Sequence, residues 1–346
     1  MKKDMYLELL ETLVGKTIVL VYSYRGEQAE GIKQYDTWKS DVISDWLSAI
    51  EELGCLPLIM DVRTFVFKAM NNSLPHTDFV INLCNGTMSL STLGLVPSTC
   101  SFLNIPCIPC NAHVSLVGEN KYYSNLIAQA SGMNVPRKLN LNDNGGIFRP
   151  VGFGSSKGVV KNPSQQHIDT YKPYVYQEFI NGFDITTPIM YNPLSEQLEV
   201  MPAVIYCPNT NDNSWFLGEE EKAKHTGYQK ICVNLSDDAK QHYLRMAESL
   251  MIDTYCRIDA RIKCESAFEI IERKNRPIEH SELFFLEINP MPTIKKSINF
   301  HTSLSCLTDE YKMKSCWNIY SNQIKDATFT GFILSNSIIA YFKAKH

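Results

Sequence analysis

The run Leu283-Phe284-Phe285-Leu286-Glu287-Ile288-Asn289-Pro290 constrains the fold of this chain more than any other stretch. Its apolar body reads as a buried strand, yet it ends in a carboxylate and an amide two residues apart. Side chains alternate across a strand, so Glu287 and Asn289 point to the same side. A second apolar segment, Cys256-Arg257-Ile258-Asp259-Ala260-Arg261-Ile262, sets Arg257, Asp259 and Arg261 on one face and its apolar residues on the other. If the two strands are neighbours, Asp259, Glu287 and Asn289 meet at one point. Three hard oxygen donors at one point suit a magnesium ion that is also held by phosphates. A pair of buried salt bridges, Asp259 or Glu287 to an arginine, accounts for the same residues equally well.

A chain of 346 residues is too long for one small core and favours two or three subdomains. With 44% hydrophobic and 20% charged residues it is neither disordered nor fibrous. A net charge of -4 and a pI near 6.1 lack the basic excess of a general nucleic-acid binder. No apolar run reaches the length of a membrane span, and the N-terminus lacks a long apolar core with a small-residue cleavage site. The expectation is a soluble cytoplasmic protein without nucleic-acid or membrane partners. The 11 cysteines follow no repeating pattern. Cys55, Cys84 and Cys232 lie in apolar runs and read as small hydrophobes. Cys107 and Cys110 have zinc or redox spacing, but no second pair sits nearby, and a reducing compartment fits best.

From 15 to 112 strands and helices alternate. Lys16–Tyr22, Cys55–Met60 and Asp78–Leu83 are strand candidates, and Trp38–Leu53 carries helical periodicity before Gly54. That rhythm predicts a mainly parallel sheet, with ligands at the carboxyl ends of its strands. Asn82, Asn85 and Tyr24–Glu27 are therefore candidate contacts, and ordinary loop chemistry explains each of them too. A helix is expected from Ser115 to Gly132, then a glycine-rich stretch over 145–160, then a strand over Tyr174–Asp184 with a turn at Asn181-Gly182. The 207–227 loop is polar and then highly charged, which marks it as functional or mobile. One helix is expected in the tail, near Phe329–Lys343.

Gly154-Ser155-Ser156-Lys157-Gly158 fits the GxSxG pattern of a hydrolase elbow, with Ser156 as nucleophile. That elbow needs a helix after it, and Val159-Val160-Lys161-Asn162-Pro163 starts one poorly. The other reading is a phosphate-covering loop of unobstructed backbone N–H groups, with Arg149 beside it. The order of elements says more: a basic residue with a Gly-Ser-Ser loop, then Gln177-Glu178-Phe179-Ile180-x-Gly-x-Asp184, then Arg257-x-Asp259, then Glu287-x-Asn289-Pro290. This order resembles the ATP-grasp enzymes, and more narrowly the D-alanine–D-alanine ligase branch. The resemblance covers about 16 to 300, including Asp78–Leu83, Ile105–Ile108 and Ser115 through Lys121.

The resemblance implies an α/β fold, α+β in its ATP-grasp part, of three subdomains. An N-terminal parallel-sheet substrate domain would occupy 1–112. A central subdomain with the glycine-rich loop would occupy 113–184, and a C-terminal subdomain with the metal site 185–346. It implies ATP and two magnesium ions as cofactors, a small carboxylate and an amine as substrates, and a homodimer. Lys121 and Arg149 match the two cations on the phosphates. The second is usually lysine, and an arginine fork is not interchangeable with it. Ser155 and Ser156 match the loop over phosphates and substrate. Gln177, Glu178, Phe179 and Ile180 match the adenine hinge, where the Gln177 amide oxygen can accept from the adenine amino group. Asp184 matches the ribose acid. Lys224 or Lys222 matches a lysine on a mobile loop that reaches the γ-phosphate. Asp259, Glu287 and Asn289 match the magnesium ligands, and Arg257 the arginine that stabilises the oxyanion of the tetrahedral intermediate.

Departures cluster on the substrate side. The metal strand ends in Asn289-Pro290-Met291-Pro292-Thr293-Ile294, where the family usually has Pro-Gly-Met, and Thr293 could still donate the backbone N–H that the glycine gives the oxyanion. Lys295-Lys296-Ser297 is a residue short of the usual run, leaving Ser297, Lys295 or Lys296 for the acceptor carboxylate. Cys84-Asn85-Gly86 replaces a His-Gly pair, and His225 replaces a tyrosine. Glu27 or Glu30 would bind the first amino group. The expectation is an ATP-dependent ligase for an acid and amine other than two D-alanines. A D-alanine–D-alanine ligase and a non-catalytic ATP-binding protein are the alternatives.

Overall fold

The computed structural model describes residues 3–23, 40–84, 93–154, 156–224, 226–272, 276–296 and 298–344. The N-terminal part runs α1 (Lys3–Glu11), β1 (Thr17–Tyr22), α2 (Ser40–Glu52), β2 (Leu56–Asp61), α3 (Val62–Met70), β3 (Phe79–Leu83), α4 (Leu95–Phe102) and β4 (Cys107–Ile108). Its four strands form a parallel sheet in the order β2-β1-β3-β4. Ile18 and Leu20 of β1 pack on one side with Tyr6 of α1 and Trp46 of α2. Val19 and Val21 pack on the other with Phe65 of α3 and Cys100 of α4. Both faces are covered, which is why these strands read as continuous apolar runs.

Next come α5 (Ala112–Glu119) and α6 (Lys121–Ala130). The single helix expected over 115–132 is broken at Asn120, whose backbone leaves the helical region (φ -81, ψ 102) and whose side chain accepts from Tyr122 N and Tyr123 N. A short polar side chain that can cap favours this break over continuation. Then β5 (Gly146–Pro150), β6 (Val160–Lys161), α7 (Gln165–Thr170) and β7 (Tyr174–Glu178) make a small antiparallel sheet in the order β6-β5-β7. The glycine-rich stretch is its β5–β6 connection. The strand expected over 174–184 ends at Glu178, and β8 (Gly182–Asn192) starts in a different sheet. Gly182 sits at φ +136, where a Cβ would collide with the Ile262 carbonyl, so only glycine serves at this crossing.

The remaining elements are β9 (Gln197–Val200), β10 (Ala203–Pro208), α8 (Glu219–Lys224), β11 (Tyr228–Val233), α9 (Asp237–Ser249), β12 (Tyr255–Lys263), α10 (Ala267–Glu272), β13 (Leu283–Asn289), α11 (Asn299–Ser305), α12 (Lys312–Gln323) and α13 (Phe329–Ala344). They build an antiparallel sheet ordered β11-β10-β8-β12-β13, with β9 on β8. One face carries Ile258, Ala260 and Ile262 against Tyr243 and Met246 of α9 and Ala128 of α6. The tail holds three helices rather than one. Phe300, Leu304, Met313, Cys316 and Tyr320 bury α11 and α12 against the same core as α13, too sparse a set to show as a long periodic run. The N-terminal unit and the two-lobed α+β body give the expected mixed α/β architecture.

One cysteine expectation changes and one stands. Cys232 is disulfide-bonded to Cys306 rather than acting as an apolar filler, while Cys107 and Cys110 are free thiols. Among the described residues no helix is long and apolar enough to cross a membrane.

Candidate functional site

A cleft of about 660 Å³ opens between the small sheet and the polar face of the large one. Its floor is β12 and β13, antiparallel, with Arg257 opposite Asn289 and Asp259 opposite Glu287. Strict alternation would send Glu287 and Asn289 to the side of Leu283 and Phe285, into the core. The register instead shifts by one residue, Asp259 facing Glu287 while Ala260 faces Phe285. Leu286 is the extra residue, and a bulge re-aims the side chains beyond it. Ile288 therefore enters the core, and Glu287 and Asn289 line the cleft.

The floor is a charge network. Arg257 donates from Nε to Asp259 Oδ1 (2.9 Å) and from NH2 to Oδ2 (2.7 Å). Thr186 Oγ1 donates to Oδ1 (2.6 Å) and Asn289 Nδ2 to Oδ2 (2.9 Å). Burial alone would lower the Arg257 pKa, but the Asp259 carboxylate outweighs it and raises it. Arg149 of β5 reaches across to donate to the carbonyl of the bulged Leu286 (2.9 Å) and to Glu287 Oε2 (3.1 Å). Lys121 Nζ lies 3.2 Å from the same Oε2 and donates to the Phe153 carbonyl (2.8 Å). Lys121 is the first residue of α6 and 4% exposed. A buried cation at a helix N-terminus opposes the macrodipole, so its position answers to the carboxylate rather than to the helix. Burial would raise the Glu287 carboxyl, but Lys121, Arg149 and Lys222 hold it down at about 2. Glu119, the residue before the Asn120 break, also lines the cleft. There burial dominates and raises its carboxyl to about 7, against the pull of Lys121.

The roof is the glycine-rich loop. Ser156 stands in a turn at φ +60; its hydroxyl donates to the Leu217 carbonyl (2.8 Å) and accepts from Lys222 Nζ (2.7 Å). The next regular element is β6, so the helix that a GxSxG elbow requires is missing. Among the described residues no imidazole is bonded to Ser156, and the nearby His167 ring is engaged with the Gly158 carbonyl (2.9 Å). The hydrolase reading falls on both counts. Burial lowers the Lys222 pKa even with Glu287, Asp259 and Asp184 around it.

At the far end, β7 brings Gln177 to Ile180 into the lining. Gln177 is 5% exposed. Its Nε2 donates to Asn125 Oδ1 (3.0 Å) and the Pro136 carbonyl (3.1 Å), and its buried Oε1 has no partner. A buried unpaired acceptor is costly, and an adenine amino group would satisfy it. The Glu178 carboxylate turns away to accept from Arg137 N (2.9 Å), which leaves only its backbone for the cleft. Asp184 accepts from Leu217 N (2.6 Å) and Arg261 NH1 (3.2 Å). On the floor, Asp259, Glu287 and Asn289 offer only oxygen donors, because Asn289 turns its NH2 to Asp259 and keeps Oδ1. Oxygen donors suit a hard cation such as magnesium, but each Asp259 oxygen already accepts two hydrogen bonds, so Asp259 would take the cation only by giving one of them up.

Lys121, Arg149, Ser156, Gln177 to Ile180, Asp184, Arg257, Asp259, Glu287, Asn289 and Thr293 all line one cleft. Tyr24, Arg25, Gly26, Glu27, Glu30, Asn85, Ser155, His225 and Ser297, and the side chain of Lys224, lie outside the described residues. Lys295 lines the cleft, paired with Asp41 of α2. Lys296 is exposed, and its backbone N–H donates to Asp45 (3.3 Å). Asn82 accepts from Cys84 N (2.9 Å), the loop chemistry weighed against a ligand role. Sequence reasoning missed Thr186, Glu119, Tyr206 and Asn299. A second cluster, Asp238, His242 and His280, groups three metal-ligating side chains, none of which lines the cleft. Its imidazoles stack in parallel at 3.6 Å, 7° from coplanar, so their nitrogen lone pairs run side by side rather than converging on one ion.

No family model and no curated protein matches the chain. Solved structures do. The D-alanine–D-alanine ligase of Bacillus anthracis complexed with ATP aligns with a TM-score of 0.61 at 14% identity, over 96% of this chain and 99% of that one. The VanG D-Ala:D-Ser ligase of Enterococcus faecalis gives 0.60 at 14% identity, over 94% and 99%. The D-alanyl-alanine synthetase A of Vibrio cholerae gives 0.62 at 13% identity, over 94% and 98%. The chain has the fold of these proteins over 94–96% of its length.

Proposed function

We propose that the chain is an ATP-dependent carboxylate–amine ligase, releasing ADP and phosphate. The observation that carries this reading is the convergence of Asp259, Glu287 and Asn289 with Lys121, Arg149, Lys222 and Arg257 in one cleft, beneath a glycine-rich loop. A buried ion-pair network alone needs neither that loop nor the unpaired Gln177 oxygen at the far end.

The chemistry requires that a carboxylate, a poor acyl donor, be activated. Its oxygen attacks the γ-phosphorus, the bond to ADP breaks, and an acyl phosphate forms. Asp259, Glu287 and Asn289 would hold magnesium, which when bound would neutralise phosphate charge. Lys121 and Arg149, held on Glu287, and Lys222, held on Ser156, take phosphate oxygens. Gln177, the hinge backbone and Asp184 orient the nucleoside. The amine nitrogen then attacks the acyl carbon, phosphate leaves, and the ammonium proton is lost. Arg257 donates to Asp259 through Nε and NH2, which leaves NH1 to meet the charge developing on the carbonyl oxygen. The Ser156–Leu217–Lys222 contacts close the glycine-rich loop over this point and exclude water from the acyl phosphate.

The departures around Asn85, His225, Met291-Pro292 and Lys295 to Ser297 direct the reading to an amino acid or small peptide acid joined to an amine, rather than to two D-alanines. Purified protein with magnesium and ATP is to be screened against amino-acid pairs for ADP release, with mass spectrometry of products. Amide product from a pair other than two D-alanines is expected. Fastest turnover with D-alanine would make the chain a D-alanine–D-alanine ligase, and nucleotide binding without ADP release for any pair would make it a binding protein.

A further inference from the structure

Arg261 has no part in the chemistry above, yet it is among the most heavily bonded side chains of the cleft. It lies on β12 two residues past Asp259, on the same face, and is 3% exposed. Nε donates to the Ile180 carbonyl (2.7 Å). NH2 donates to the carbonyls of Gly182 and of Trp215, the latter at 2.9 Å. NH1 donates to Asp184 Oδ1 (3.2 Å). The guanidinium carbon lies 4.6 Å from the centre of the Phe179 ring, a cation–π distance. One planar fork thus collects the crossing from β7 to β8, the loop before α8, and the Asp184 carboxylate.

Burying a guanidinium is expensive, and an apolar residue here would avoid that cost but leave three carbonyls unpaired. A lysine ammonium, a point charge, could not reach them all in one plane. The fork also fixes Asp184. With Oδ1 taking Arg261 and Oδ2 taking Leu217 N (2.6 Å), the carboxylate cannot rotate. Each oxygen keeps one further acceptor direction. Two fixed acceptors on one carboxylate match two neighbouring hydroxyls on a five-membered sugar.

We propose that Arg261 is a positioning residue that makes the nucleotide subsite select a ribose over a deoxyribose, by locking Asp184 against the β7–β8 crossing. The proposal rests on the nucleotide reading of the cleft. It asks nothing of the acid and amine substrates.

The test is equilibrium binding of ATP, 2′-deoxyATP and 3′-deoxyATP with magnesium to the full chain, by calorimetry. The wild type should prefer ATP over each deoxy form by about tenfold, the worth of one hydrogen bond. Arg261→Met should bring that ratio to within about threefold, mainly by weakening ATP, and Arg261→Lys should not restore it. Should Arg261→Met fail to fold, Asp184→Asn leaves the carbonyl contacts of Arg261 in place and should lose the same discrimination. An Arg261→Met protein that binds all three nucleotides more weakly by one common factor has a merely structural arginine, and that result overturns the proposal. A wild type that binds none of the three overturns the nucleotide reading and the role of Arg261 with it, a separate outcome from an unchanged ratio.

Discussion

Replacing Glu287 by glutamine removes one charge and leaves two buried cations facing it. Lys121 Nζ and Arg149 NH2 lie 3.2 and 3.1 Å from the same Glu287 oxygen. Its carboxyl is held at about 2 in the folded chain against an ordinary 4.5. At about 1.36 kcal/mol per pH unit that gap is worth roughly 3 kcal/mol of stability at neutral pH. With an unfolding entropy near 2.1 cal/mol/K per residue, a chain of this size should melt about 4 °C lower as Glu287→Gln. Because the folded value lies below the unfolded one, the stabilisation is complete above about pH 4.5 and is lost as pH falls toward 2. Thermal melts of wild type and variant, followed by circular dichroism from pH 7.5 to pH 3, read this directly. The gap should be full at pH 7.5 and less than half as large at about pH 3. A gap of equal size at both ends, or a variant as stable as wild type at pH 7.5, would refute the claim that Lys121 and Arg149 hold this carboxylate ionised.

Two further outcomes rest on the geometry. Lys222→Ala should lower kcat for ADP release by about a hundredfold with a smaller change in nucleotide affinity, while Lys224→Ala should stay within about tenfold; steady-state kinetics of both variants decide, and the reverse order would reassign the loop lysine. Gly118→Ala should cost about 1–3 kcal/mol by overpacking, because a Cβ there collides with Pro290, which comes directly after Asn289; a melting temperature equal to wild type would show that the Pro290 ring yields without cost.

The site was legible in outline because chemistry and period coincide on β12. Arg257, Asp259 and Arg261 alternate with apolar residues, and the structure puts all three in the cleft. On β13 alternation misleads. The pairing of Glu287 with Asn289 was readable, but their side of the sheet depends on the bulge at Leu286, which no residue in that apolar run announces. Arg149 completes the bulge by taking the Leu286 carbonyl, a tertiary contact without a local signature. Asn120 does carry a local signal, a capping side chain, but the apolar spacing around it argues for an unbroken helix. Lys222 and Lys224 share a six-residue helix, too short for a period to choose between them. Thr186 joins Asp259 from β8, seventy-three residues away in sequence, a distance that only the sheet closes.

The packing of α13 sets the order in which the chain can become complete. Phe332, Ile333, Ile338 and Ile339 share one core with Ile18, Leu20 and Trp46, and Phe79 of β3 meets the rings of Tyr341 and Phe342. Tyr6 donates to Asn336 (3.1 Å), and Glu52 accepts from Thr328 N (2.9 Å). The N-terminal sheet is therefore roofed on one side by a helix made about 250 residues later. At about 5–20 residues per second, the ribosome needs roughly 12–50 s between Phe79 and Phe329. Through that interval an apolar sheet face waits without its cover, open to chaperones or to another unfinished copy. A nascent chain stopped just short of α13 would carry every residue of the cleft and still lack the helix that covers the apolar face of its N-terminal sheet.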